Sequence, residues 1–172
     1  GQDQPKAFAA GNPEEEVQAF GGTGWVPRPD VADAVSDTLP FNSFRDTPAF
    51  KAARGDDPDN VFLWEHGKKV LKDSLIPTEN QGKVGSCVSF GTNMAIQTSI
   101  CVLIAEGQLN RDYRDLCEEV TYGGSRVEIG GGKIRGDGSI GAWAAKFVKE
   151  YGVVSREKHG DYDLTRYDER RC

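Results

Sequence analysis

Asn80-Gln81-Gly82-Lys83-Val84-Gly85-Ser86-Cys87-Val88-Ser89-Phe90 opens the most helical stretch of the chain, and the rest is read outward from it. Downstream come Met94, Ala95, Ile100, Cys101, Val102, Leu103 and Ile104, so the spacing predicts a helix over 86–108. Its apolar residues cover more than one face, which sends it through the core, and Gly107 is its stop signal. Cys87 then falls in the first turn, directly after Gly85-Ser86. Unpaired amides and the helix dipole at such a position favour a thiolate.

Two further helices follow. The first spans 110–122, capped by Asn110, with Tyr113, Leu116, Cys117 and Val120 at helical spacing. In the second, Ile140, Trp143, Ala144, Phe147, Val148 and Tyr151 recur at i, i+3, i+4, i+7, i+8 and i+11. That helix starts near Ser139 and stops at Gly152, and Val153-Val154 continue as a short extended piece. Between the two lies GGSRVEIGGGKIRGDGS, read as a long surface loop. It lacks the Gly-Lys-Ser/Thr ending of a phosphate loop and the strand–turn–helix context of a dinucleotide fingerprint. The expected class is α+β, mainly helical, around a central buried helix.

Upstream the character changes. Residues 1–60 hold 5 Lys/Arg against 11 Asp/Glu and seven of the eight prolines, whereas 61–172 hold 16 of each charge. Proline removes donors and fixes φ, so 1–60 reads as a long irregular, extended arm and 61–172 as the folded unit. The arm still carries Phe20, Trp25, Val26, Phe41, Phe44 and Phe50, anchors suited to ordering against the domain or a partner. A net charge of -6 argues against nucleic acid, which needs clustered cations. No apolar run approaches the ~20 residues of a membrane span, and residues 1–20 lack the form of a signal peptide. A cytoplasmic or assembly-associated chain is expected. Thr165 and Asp168 in LTRYDERRC resemble the start of a capped helix, so further chain is expected after Cys172.

The cysteines are Cys87, Cys101, Cys117 and Cys172, with no CxxC, and the histidines are His66 and His159 alone. Neither a metal nor a cofactor is expected from that spacing. Cys101 and Cys117 fall on apolar faces and read as core thiols, and His66 reads as a surface histidine.

The segment 80–90 resembles the nucleophile motif of papain-like cysteine peptidases. The resemblance implies Cys87 as nucleophile and Gln81, six residues earlier, as an oxyanion donor beside the Cys87 amide. Leu116-Cys117-Glu118-Glu119 loosely resembles that family's Leu-Ser-Glu-Gln step. Asp137-Gly138-Ser139 resembles its Asn-Gly-Gly segment, which implies Gly138 as a contact for an extended substrate. FVKEYGVVSRE, 147–157, resembles the helix end and turn that follow, and Gly22-Thr23-Gly24-Trp25-Val26-Pro27 resembles leaders of bacterial and phage-encoded members. The likeness covers roughly 77–165, the helical left half of the fold. Departures are plain: Val84 and Gly136 stand where the family has a disulfide, and Val88 replaces an aromatic residue. The family's histidine and asparagine lie about 130–150 residues past the nucleophile, whereas only 85 residues follow Cys87. His159 falls at an aromatic position of the family and is not assigned as the base. Two functions follow: the nucleophile half of a thiol acyl-transfer site acting on a peptide or protein, or a catalytically silent papain-like domain. In the second, the arm attaches the domain to proteins of a large assembly such as a phage virion.

Overall fold

The computed structural model describes residues 28–37, 48, 50, 51, 62–160 and 163. Six α-helices are used below: α1 Pro29–Ser36, α2 Leu63–Val70, α3 Cys87–Ala105, α4 Glu118–Gly124, α5 Gly141–Tyr151 and α6 Arg156–His159. The described residues are mainly helical and hold no strand, only isolated bridges such as Leu116 to Ser155.

Helix α3 is the axis of the fold, packed by α2, α4 and α5. Its buried positions are Val88, Ser89, Asn93, Gln97, Cys101 and Val102. The half nearer Ala105 therefore buries apolar groups, as the sequence leads one to expect, but the half nearer Cys87 turns its polar side inward. That is possible because each buried polar group has a partner. The Ser89 hydroxyl donates to the Ser86 carbonyl at 2.8 Å, and Asn93 accepts from Thr121 Oγ1 at 2.9 Å and donates to Glu118 Oε1 at 3.3 Å. Gln97 donates to the Tyr113 hydroxyl at 2.8 Å and accepts the Leu116 amide at 3.0 Å. By length and composition alone, α3 (mean hydropathy 1.5) is apolar enough to cross a membrane, although no single run of its sequence suggests it.

Helix α2 lies along α3 and brings His66 against its far end. His66 is 7% exposed, with Nε2 3.2 Å from Glu106 Oε1, so it is a buried, carboxylate-paired residue and not a surface one. The amphipathic charge pattern of α2 hid this, because the partner comes from 40 positions downstream.

The helix expected over 110–122 begins only at Glu118. The segment before it is extended, because it pairs with the chain after α5. The Cys117 amide donates to the Val154 carbonyl, the Arg156 amide to the Asp115 carbonyl, both at 2.8 Å, and Leu116 bridges Ser155. Tertiary pairing here overrides local helical periodicity. At its other end α4 continues into a π-helical turn, Ser125–Ile129. The first part of the expected surface loop is thus helical, and Gly123, Gly124, Ser125 and Arg126 are buried. Gly124 permits close approach of α5: a Cβ there would lie 2.1 Å from Phe147 Cε2. The remaining glycines do form a turn, Gly131 and Gly132 having φ of 63° and 66°.

Helix α5 begins two residues later than expected and ends at Gly152, whose φ of 83° stops it. The arm is not wholly extended either. Helix α1 packs on α5, with Val31 against the buried pair Ile134 and Ile140 and beside Trp143. Arg28 donates to Asp30 Oδ1 at 2.8 Å at the entry to α1. Phe20, Trp25, Val26, Phe41, Phe44 and the helix start expected at Thr165 and Asp168 lie outside the described residues.

Candidate functional site

Cys87 is presented by a tight turn built from its own upstream residues. Gly82 has φ 63°, and its amide donates to Asn80 Oδ1 at 2.8 Å. Gln81 Nε2 donates to the Val84 carbonyl at 3.0 Å, and the Ser86 amide reaches the same carbonyl at 2.8 Å. The Gly85 amide donates to Asp137 Oδ2 at 3.3 Å, which ties this turn to the segment before α5 across 52 positions. Ser86, fully buried, precedes the helix, and Cys87 is its first residue, half-buried.

From Cys87 a groove of about 560 Å³ runs along the outer side of α3. Val88, Ala95 and Ile96 line it from α3, and Gly141, Ala145 and Val148 from α5. Thr92 also lines it, but its hydroxyl donates to the Val88 carbonyl at 2.7 Å, which leaves the wall largely apolar. The size falls within the roughly 300–1,000 Å³ of small-ligand clefts. A sulfur at one end of an apolar trough can meet an electrophilic carbon whose apolar neighbour lies in the trough.

The structure gathers three of the sequence-derived residues in one region: Cys87, Gln81 in its turn, and Gly138 through the Asp137 contact. Gln81 spends one of its two amide hydrogens on Val84. Gly138 needs its glycine, with φ 111°, but its amide donates to the Tyr122 hydroxyl at 2.8 Å and so points inward. Tyr122 also accepts from Arg126 Nη1 at 2.7 Å, and Arg126 Nη2 donates to the Ile134 carbonyl at 2.9 Å. Burial pushes the Tyr122 phenol above its usual range. Sequence reading quoted Asp137 only within the Asp137-Gly138-Ser139 motif and placed Tyr122 only at a helix end, and it gave no role to either or to Arg126. The glycine density around them pointed to surface, and the only trace of burial was helical spacing from Tyr122 to Arg126.

The two histidines lie elsewhere. His66 is bonded at Glu106, beyond the opposite end of α3 and roughly 28 Å from Cys87 by helical rise. His159 ends α6 beside Cys117 and Glu119. Cys101 and Cys117 are core thiols, and burial raises both, Cys117 to about 12.

On the inner side of α3 lies an ionic cluster. Arg156 bonds Glu118 through Nη2 and Glu119 through Nη1, the latter at 2.7 Å. Burial pushes the Glu118 carboxyl up, despite Asn93 and Arg156. Burial acts the same way on Glu119, but Arg156 and the Asp163 amide outweigh it and hold that carboxyl below its usual range. No protein-family model matches the chain, and no curated protein or solved structure matches it significantly.

Proposed function

We propose that the chain carries the nucleophile half of a papain-like thiol acyl-transfer site and acts on an extended peptide. The observation that carries this reading is the position of Cys87, half-buried at the first turn of α3 and at the head of an apolar groove. Its sulfur attacks the peptide carbonyl carbon, the C–N bond breaks, and the leaving amine takes a proton. Water then cleaves the thioester and releases the acid. The Cys87 amide and the second amide hydrogen of Gln81 are the donors for the developing oxyanion. An apolar side chain of the substrate fills the groove against Ala95, Ile96 and Val148. Because His66 and His159 are placed elsewhere, this reading takes the proton acceptor from outside the described residues.

A second reading makes the groove a surface for assembly proteins, with Cys87 silent. Its support is that the Gly138 amide is committed to Tyr122 and Gln81 in part to Val84. An epoxysuccinyl peptide bearing leucine separates the two. Selective alkylation of Cys87, slowed by Gln81→Ala because the second Gln81 amide hydrogen is placed to hold the epoxysuccinyl carboxylate, is expected of an acyl-transfer site. Alkylation by plain iodoacetamide but not by the peptide epoxide would leave only the second reading.

A further inference from the structure

We propose that Cys117, Glu119 and His159 form a site for a zinc-class divalent ion, which staples the segment before α4 to helix α6. One ligand atom from each, a sulfur, a carboxylate oxygen and an imidazole nitrogen, lies within 4.8 Å of the other two. Zinc takes these three donor types in four-coordinate sites, at about 2.3 Å for sulfur and 2.0–2.2 Å for nitrogen and oxygen. Donors around such an ion are then roughly 3.3–3.8 Å apart. Cys117 Sγ and Glu119 Oε2, 3.1 Å apart, open by a few tenths of an ångström, and the imidazole nitrogen, within 4.8 Å of both, closes by at most about 1.5 Å. Magnesium and calcium, which take hard oxygen donors, do not suit a thiolate.

Two independent features favour a cation here. The first is charge. Glu118 and Glu119 are buried and share the single guanidinium of Arg156, so two carboxyls meet one cation. Glu79 and Asp115 stand within electrostatic range and deepen the negative potential. A divalent ion that replaces the Cys117 thiol proton adds one net positive charge to this acidic surrounding. The second is preorganisation. The two ligand-bearing segments are already held in register by the Cys117–Val154 and Asp115–Arg156 backbone bonds and the Leu116–Ser155 bridge. Little chain has to be ordered on binding.

On binding, the thiol proton leaves to solvent and a metal–sulfur bond forms, while Glu119 Oε2 exchanges the S–H donor for the ion. Oε1 keeps the Arg156 guanidinium and the Asp163 amide, which is 3.0 Å away. His159 binds as neutral imidazole, and water takes the fourth position. No step depends on Cys87, so the site stands or falls apart from the acyl-transfer reading.

The test is titration of the chelator-stripped full chain with cobalt(II), followed by zinc. Expected is a thiolate-to-cobalt charge-transfer band in the near ultraviolet at one equivalent, bleached by zinc. It is retained in Cys87→Ser, lost in Cys117→Ser, and weakened at least about tenfold in apparent affinity by His159→Asn. Far-ultraviolet circular dichroism checks that Cys117→Ser is folded, and His159→Asn, at the end of a short helix, tests the site without touching a core thiol. Absence of the band in excess cobalt, a band that follows Cys87, or indifference to His159→Asn would overturn the proposal.

Discussion

The two sides of α3 invert the usual order of a helix in a folded chain. Inward, near Cys87, it presents Ser89, Asn93 and Gln97, each hydrogen-bonded, and Asn93 joins the ionic cluster of Glu118, Glu119 and Arg156. Outward, the same turns present Ala95 and Ile96 to an apolar groove headed by Cys87. A stability-driven helix buries the second face and solvates the first. The inner face therefore holds the structure by polar specificity, and the outer face leaves apolar surface for something else to cover.

The sharpest way to break that contrast is to remove the cation of the inner side. Arg156→Met leaves Glu118 and Glu119 buried without their counter-ion and costs about 3–5 kcal/mol, read as a fall in the urea midpoint. A loss near zero would show that the two carboxylates accept protons freely and that the inner network is not a framework.

The same substitution at two glycines gives opposite signs on the two sides. Gly124→Ala drives a methyl into the Phe147 ring, where the gap is 2.1 Å, and costs about 1–3 kcal/mol. Gly91→Ala, on exposed α3 with nothing within 4 Å of the new methyl, gains about 0.5–1 kcal/mol. Thermal melts of both variants check the pair. Gly91→Leu, whose Cβ meets nothing within 4 Å, sets a side chain in the groove and is expected to slow the leucyl epoxide at Cys87 while leaving iodoacetamide unaffected.

The smallest effect lies at the helix of the arm. The Arg28 side chain holds Asp30 at about 2 against an ordinary 3.8. The folded value is the lower, so the contact helps α1 above the ordinary value, and the help is lost as pH falls through about 2. An NMR titration of Asp30 should give that low midpoint, and Arg28→Ala should return it to the ordinary range.

Legibility followed the range of the interactions. Helix α3, helix α5 and the half-buried Cys87 at a helix tip were readable because periodicity and the Gly-Ser turn are local. The segment 110–117 was misread as the start of a helix, since the pairing of its end with 154–156 is invisible to spacing. His66 was misplaced because Glu106 is remote in sequence. Cys117, Glu119 and His159 carry no metal-ligand spacing, and the pairing of 115–117 with 154–156 brings them together. The buried Arg126 and the Asp137 contact to Gly85 were hidden in a glycine-rich stretch whose first half is a packed helix.

The account turns most directly on which thiol reacts. Alkylation of the folded chain at neutral pH with the leucyl epoxysuccinate, followed by peptide mapping, compares Cys87 with Cys101 and Cys117. The account predicts a Cys87 adduct that saturates with reagent concentration and leaves both core thiols unmodified. Equal labelling of the three, or none at Cys87, would contradict it.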